Sequence, residues 1–541
     1  MEKLLLLGDE AIAQAAIDAG LSGIYAYPGT PSTEIMEYIQ ASPEAKELNI
    51  RSLWSANEKT AMEAALGMSY AGKRAMVCMK HVGLNVAADA FINSAITGAN
   101  GGLIVVSADD PSMHSSQNEQ DSRFYGKFAL IPVLEPSNQQ EAYDMVHYGF
   151  QISEQMRVPV MLRITTRLAH SRTGIARRPV RTQNKMSLPS NLKQFILLPA
   201  IARKQYRELL GKQEHLEMLS ADSGFNQFFD YPENRKLGII ACGLAYNYLI
   251  ENFEGHKVTH PVLKVGQYPV MPAMVNELYE KCDEILVLED GYPIIEELIR
   301  GMLNKGKKVM GRLDGTLPRD GELNPVIVAK ALGIEVTPGN SVPAIVKNRP
   351  PRLCDGCGHN DAFLALNEAL HDYSRGRVFS DIGCYTLSAL EPLEAINSCV
   401  DMGASITMAM GAADAGLVPA VAAIGDSTFT HSGMTSLLDA INNNAPITVL
   451  ILDNSTTGMT GGQTSSAYGK IEAICKGLGV SEEHIHVIKP MPKYHDENVD
   501  ILRKELAYQG VSVIIPRREC IQTLGRKLRQ KAKAKEMEVQ N

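Results

Sequence analysis

No apolar run in this 541-residue chain approaches the 18 or more residues that a membrane span requires. The opening ten residues, Met1 to Glu10, are too short and too acidic for a signal peptide. An excess of one charge is also lacking: 53 Lys and Arg face 61 Asp and Glu, and a net charge of −8 gives no sign of nucleic-acid binding. With 45% hydrophobic and 21% charged residues, the composition is too balanced for a disordered chain. These absences leave a soluble globular protein, expected in the cytoplasm, with length for about three domains. Nine cysteines in such a chain read as metal ligands, buried thiols or redox centres rather than disulfides.

The most informative stretch runs from Gly425 to Gln463. An apolar run from Val418 to Ile424 stops at Gly425-Asp426-Ser427; a helix then leads through Asn442-Asn443-Asn444 into a second apolar run, 446–452. In a parallel sheet the carboxyl ends of both strands lie on one edge, which predicts Asp426 and Asn454 side by side. Mg²⁺ takes hard oxygen ligands, usually one or two carboxylates with substrate phosphates. The Asp426 carboxylate, the Asn454 amide oxygen and the Thr456 carbonyl can supply three. Read without context, Gly-Asp-Ser is also a common turn at a strand end.

The span resembles the thiamine diphosphate motif, Gly-Asp-Gly followed some 25 residues later by Asn, in the form used by 2-oxoacid:ferredoxin oxidoreductases. Thr460-Gly461-Gly462-Gln463 is typical of that group, and Ser427 replaces the usual second glycine. The resemblance implies that Asp426, Asn454 and the Thr456 carbonyl hold Mg²⁺, with Gly425, Ser427 and Thr460 also on the cofactor. It further implies a glutamic acid that opens a small-residue helix and bonds the aminopyrimidine. Glu58 matches, at the start of a helix expected over 57–71 with Ala61, Ala64, Ala65 and Gly67; Glu63 fits less well. A carboxyl among apolar neighbours is expected to have a raised pKa, although a helix-start glutamate otherwise serves the helix dipole.

Tyr27-Pro28-Gly29-Thr30-Pro31-Ser32 resembles the family's Tyr-Pro-x-Thr-Pro-Ser turn, which assigns Thr30 to the substrate carboxylate. A hydroxyl on a proline-fixed turn makes a stiff anion cradle. Lys80 and His81 read equally as carboxylate or proton partners and as surface residues, and Arg123 is a weaker candidate of the same kind.

Cys354 and Cys357 form a C-x-x-C, Cys384 follows in Ser380-Asp381-Ile382-Gly383-Cys384, and Cys520 closes Arg517-Arg518-Glu519-Cys520. Four thiolates can hold a [4Fe-4S] cluster; structural zinc and free thiols are the alternatives. The placement is similar to the family's proximal cluster. Cys78, Cys242, Cys282, Cys399 and Cys475 sit in apolar segments and read as core residues.

The expected fold class is α/β, with thiamine diphosphate-binding doubly wound parallel-sheet domains and a transketolase-C-terminal-like domain between them. The pyrimidine-type domain is expected over 1–190, a helical linker over 191–236, the transketolase-like domain over 237–340, the diphosphate-type domain over 350–525 and a basic tail over 526–541. Lys204 to Leu216 reads as one solvated amphipathic helix in the linker. That order over residues 1–525 resembles the α subunit of indolepyruvate ferredoxin oxidoreductases. Their usual C-terminal ferredoxin-like module, with two C-x-x-C-x-x-C-x-x-x-C-P runs, does not follow Cys520. The resemblance implies oxidative decarboxylation of aryl 2-oxo acids with coenzyme A, electron transfer through the cluster to ferredoxin, and a γ-type (IorB-like) second subunit. A non-oxidative thiamine decarboxylase or carboligase, which has no use for the four cysteines, and a scaffolding paralogue are the rival readings.

Overall fold

The computed structural model describes residues 3–191, 194–301, 306–318, 321–336, 339, 341–347, 352–399, 402–414 and 416–540, apart from the side chains of 414 and 533–540. The expected domain limits at 340 and 350 lie outside the described residues. The chain divides into two compact units, residues 1–340 and 341–541.

The first unit carries two main sheets. Strands β2 (Gly23–Ala26), β3 (Arg51–Trp54), β4 (Ala75–Lys80), β5 (Leu103–Asp109), β6 (Val133–Leu134) and β7 (Val160–Thr165) run parallel in the order 6-7-5-4-2-3. Alternation along β4 sends Met76 and Cys78 into one core and Ala75, Val77 and Met79 into the other, so the sheet is covered on both faces. A near-continuous apolar strand is the form such burial requires. A short pair of β1 (Lys3–Leu7) with β8 (Arg172–Ala176) lies apart from this sheet.

The second sheet of this unit has the order 14-13-10-11-9, built from β9 (Gln227–Phe229), β10 (Leu237–Cys242), β11 (Val262–Val265), β13 (Glu284–Leu288) and β14 (Lys308–Met310), with β9 antiparallel. β12 (Gln267–Tyr268) leaves it to join the first sheet as an antiparallel edge on β6. The single helix expected over 204–216 is two, Pro199–Gly211 and Gln213–Asp222, each with an inward leucine, Leu209 and Leu216.

The second unit holds one six-stranded parallel sheet, ordered 16-15-17-18-22-21: β15 (Val378–Ser380), β16 (Ser398–Cys399), β17 (Ala420–Gly425), β18 (Ile447–Leu452), β21 (Ile485–Ile488) and β22 (Ser512–Pro516). It too is buried on both faces: Ala422 and Ile424 point into one core, Val421 and Ala423 into the other. The basic tail continues as a helix, Ile521–Gln540. Among the described residues no helix is long and apolar enough to cross a membrane.

Candidate functional site

β17 and β18 pair in parallel with Gly425 opposite Leu452, so the chain leaves both strands on the same sheet edge, at Asp426 and at Asp453-Asn454. Asp426 is 2% exposed. Its Oδ1 accepts the Ser427 N–H at 2.8 Å, and its Oδ2 has no hydrogen-bond partner. Burial, reinforced by the nearby Asp453 charge, pushes this carboxyl up to about 7. Asn454 Oδ1 accepts the Thr456 N–H at 3.0 Å, while its Nδ2 lies 3.5 Å from His359 Nε2. Between them Ser455 has φ 64, a left-handed conformation that few non-glycine residues adopt. The Ser455 N–H donates to Asp453 Oδ1 at 3.2 Å, and Arg517 holds the other Asp453 oxygen at 2.6 Å.

Beyond this turn β19 (Thr456–Thr457) and β20 (Gln463–Thr464) form a small antiparallel hairpin. Thr460 Oγ1 donates to Gln463 Oε1 at 2.7 Å, and Gln463 Nε2 returns to the Thr460 carbonyl at 2.8 Å. Ser427 Oγ lies 2.9 Å from Thr457 Oγ1, which ties the hairpin to the Asp426 turn. A Cβ on Gly425 would lie 2.6 Å from the Tyr385 ring, so tyrosine packing requires a glycine at this position.

Cys354 and Cys357 flank a turn, closed by the Cys357 N–H to the Cys354 carbonyl at 3.0 Å, before the Gly358–Ala369 helix. Cys384 opens a short 3₁₀ helix, and the Cys520 N–H donates to the Asn454 carbonyl at 3.1 Å. All four are half-buried. Burial pushes the Cys384 thiol up to about 12, and the neighbouring Cys357, Cys520 and Cys354 add to it. Cys357 is raised by burial and then by Cys354 and Cys520. The four thiols are therefore electrostatic neighbours. Cys78, Cys242, Cys282 and Cys475 are buried, but Cys399 is exposed, correcting its assignment to the core. It lies on β16, a two-residue strand at the edge of the sheet, beyond which no strand pairs among the described residues.

Sequence reasoning passed over Asp381 and His359. Asp381 accepts bonds from Ser405 Oγ at 2.6 Å and from Tyr385, yet burial pushes it up to about 7. Burial also lowers His359 to about 4, and its Nδ1 has no partner. The signal was present: Asp381 directly follows the strand Val378–Ser380, three residues before Cys384, and His359 follows the C-x-x-C by two.

In the first unit, Asn57 caps the Glu58–Tyr70 helix by accepting the Thr60 N–H at 2.9 Å. Glu58 is 5% exposed and lies against Gly83; a Cβ on Gly83 would sit 2.4 Å from Glu58 Oε1. Glu63 is exposed and ion-paired to Lys59. Thr30 is half-buried in a turn where Ser32 Oγ bonds the Gly29 carbonyl at 2.9 Å and Thr33 Oγ1 accepts the Gly29 N–H at 3.1 Å. Lys80 and His81 are both buried, against the surface alternative. Lys80 Nζ bonds the Ser115 carbonyl at 2.6 Å, and burial lowers its pKa to about 8. His81 Nε2 meets the Asn118 carbonyl at 3.3 Å. The segment after β5 covers both residues. Arg123 is fully buried and held by Asp121 at 2.5 Å, Glu289 at 3.2 Å and the Tyr292 carbonyl at 2.7 Å.

Two family models match this chain: pyruvate flavodoxin/ferredoxin oxidoreductase, thiamine diphosphate-binding, over residues 14–219, and the C-terminal thiamine pyrophosphate-binding domain of thiamine enzymes over 381–519. With the parallel sheets and the Asp426 edge, they define a thiamine diphosphate enzyme. The indolepyruvate oxidoreductase subunit IorA of Archaeoglobus fulgidus is 40% identical, covering 96% of this chain and 86% of that relative. Its counterpart in Methanothermobacter thermautotrophicus is 37% identical over 97% and 88%. The chain belongs to the indolepyruvate oxidoreductase subunit IorA family, and its class is 2-oxoacid oxidoreductase. A solved structure, the 2-oxoglutarate:ferredoxin oxidoreductase of Magnetococcus marinus with 2-oxoglutarate, coenzyme A and succinyl-CoA bound, shares the fold at TM-score 0.50 and 17% identity, over 61% of this chain and 65% of that one.

Proposed function

We propose that this chain is the catalytic α subunit of an enzyme that converts an aryl 2-oxo acid and coenzyme A to aryl-acetyl-CoA and CO₂, releasing one proton and passing two electrons to ferredoxin. The name borne by the relatives, indolepyruvate oxidoreductase, supports the aryl substrate class. In this reading residues 1–190 form the pyrimidine-type domain, 191–236 a linker, 237–340 the transketolase-like domain and 350–525 the diphosphate-type domain. A γ-type subunit completes the assembly.

The observation that carries the proposal is the 453–463 loop, which serves two candidate centres. It leaves β18 on the sheet edge where Asp426 leaves β17 and its Thr457 meets Ser427 at 2.9 Å, while the Asn454 carbonyl accepts the Cys520 N–H and a Cβ on Gly458 would lie 3.1 Å from Cys384 Sγ. The Asp426 oxygen without a partner, the Asn454 amide and the Thr456 carbonyl form a hard oxygen set that suits Mg²⁺. Ser427 and Thr460 flank it for the diphosphate.

The four cysteines fit a cluster better than a single ion. A tetrahedral zinc with bonds of about 2.3 Å needs sulfurs roughly 3.8 Å apart; among the described residues no three of these sulfurs lie within 4.8 Å of one another. Cys354, Cys357, Cys384 and Cys520 would hold a [4Fe-4S] cluster, which supplies one-electron capacity.

Thiamine diphosphate, when bound, supplies the electron sink that lets a 2-oxo acid lose CO₂. The protein supplies placement. Glu58, with the room that Gly83 leaves, holds a proton at the aminopyrimidine nitrogen, and Thr30 orients the substrate carboxylate.

The test is anaerobic co-expression with candidate γ-type chains, followed by iron and sulfide analysis and 2-oxoacid-dependent viologen reduction with and without coenzyme A. Iron-loaded protein that reduces viologen with indolepyruvate but not with 2-oxoglutarate is the expected result. Iron-free protein that releases CO₂ without viologen reduction would overturn the proposal in favour of non-oxidative decarboxylation.

A further inference from the structure

Asp9, Glu34 and His170 come from three separate segments, and each offers one ligand atom within 4.8 Å of the other two. Asp9 belongs to the first turn of the helix Gly8–Asp18, Glu34 to the helix Thr33–Ala41, and His170 ends the short helix Thr166–His170. Backbone contact sets this meeting. Gly8 has no room for a Cβ, which would lie 2.2 Å from the Leu168 carbonyl oxygen, and the Gly8 N–H donates to the Ser171 carbonyl at 3.2 Å. That close approach places His170 over Asp9.

Asp9 is fully buried, and neither of its carboxylate oxygens has a hydrogen-bond partner; Glu34 Oε2 lacks one as well. Stranding such acceptors is costly, because a buried polar group forfeits hydration without a replacement. One shared proton would link two of these oxygens and leave the third unmatched. A cation serves all three, together with the imidazole. Burial, and then Glu34 by its charge and by a hydrogen bond to the protonated form, raise the Asp9 carboxyl well above its usual range, while His170 Nε2 lies 3.7 Å from Oε1, the other oxygen of the Glu34 carboxylate. Glu10 is engaged elsewhere, accepting the Leu7 N–H at 2.8 Å and lying 3.9 Å from Arg172. His170 is the exposed member of the group and Glu34 is half-buried, so an ion can reach the buried end from solvent.

We propose that Asp9, Glu34 and His170 form a binding site for a divalent transition-metal ion of the Mn²⁺, Fe²⁺ or Zn²⁺ class. Two carboxylates and one imidazole suit these borderline ions better than a purely oxygen set would. All three residues belong to the first unit and Asp426 to the second, and the proposed site does not depend on the thiamine chemistry. The ion would tie the first helix to the helix that follows the Thr30 turn.

The probe is Mn²⁺ alone, chosen because thiolates are poor ligands for it. Reduced, chelator-stripped full-length chain without thiamine diphosphate is titrated while free Mn²⁺ is followed by electron paramagnetic resonance, and bound Mn²⁺ is examined for ¹⁴N coupling. One bound equivalent with imidazole coupling is expected. Asp9→Asn or Glu34→Gln should weaken it at least tenfold, His170→Gln should abolish the coupling, and Asp426→Asn should leave both unchanged. Absence of a nitrogen-coupled ion, or unchanged binding in Asp9→Asn, overturns the proposal. So does a wild-type melting temperature that Mn²⁺ fails to raise while Asp9→Asn raises it, since that result identifies a shared proton.

Discussion

Asp121 in the first unit and Asp426 in the second are buried almost equally, at 5% and 2% exposed, yet their carboxyls are driven in opposite directions. Burial opposes ionisation of both. At Asp121 the Arg123 and Arg163 guanidinium groups, with the Tyr292 N–H at 2.9 Å, overturn that opposition and hold the carboxyl well below its usual range. At Asp426 burial and the like charge of Asp453 outweigh the hydrogen bonds from Ser427, Ser465 and Ser455, no guanidinium is among these partners, and the carboxyl rises to about 7. The first region carries its own countercharge and is scaffold. In the second, one buried oxygen has no protein partner, as suits a residue whose partner is a cation brought with a ligand.

The largest effect expected from breaking this contrast is at Arg163, whose side chain reaches Asp109 at 2.7 Å as well as Glu135 and the Asp290 carbonyl. Arg163→Met should cost about 3–5 kcal/mol by stranding buried carboxylates, read as a lower urea midpoint or loss of folded protein. Glu58→Gln should keep the fold and the cofactor but lower kcat by roughly 10²–10⁴, the usual worth of a positioned acid or base, in the viologen assay. Asp426→Asn should do the reverse of Arg163→Met. The apo chain loses no stability, while thiamine diphosphate binding with Mg²⁺, measured by calorimetry, should weaken about 100-fold or more, since even outer partners of a metal ligand are worth about 10–100-fold.

Much of the second region was legible because its signals are local. Strand ends at 425 and 452 and a parallel pairing together bring Asp426 and Asn454 to one sheet edge. The helix over 57–71 was equally plain from Asn57 and its small residues, with observed bounds Glu58–Tyr70. The first region's charge network was not legible. Arg123 finds Glu289 166 positions away and Arg163 finds Asp109 54 positions away, and no periodicity marks such pairs. Lys80 and His81 looked like possible surface residues because the 115–118 segment that accepts their bonds has no regular pattern of its own. Cys399 failed for the opposite reason: its apolar neighbours are real, but a two-residue edge strand leaves it uncovered.

A pH profile sharpens the comparison with a smaller effect. Asp381 is raised from its ordinary 3.8 to about 7, so the folded chain binds a proton there that the unfolded chain has released. Its contribution is complete below about pH 4 and is lost as pH rises through about 7. Asp381→Asn should therefore flatten the decline in urea midpoint between about pH 4 and 7, without removing the part due to Asp426.

The smallest change tests whether position, rather than acidity, separates the two glutamates of one helix. Glu63 is exposed, and its partner Lys59 is exposed as well, so solvent screens the pair. Glu63→Gln should leave both the urea midpoint and kcat close to wild type. Glu58, five residues earlier, is buried against Gly83. Gly83→Ala should then disturb turnover where Glu63→Gln does not, because the added methyl occupies the space of the Glu58 carboxyl. Equal kinetics for Gly83→Ala and wild type would show that the close approach at Gly83 has no part in placing the acid.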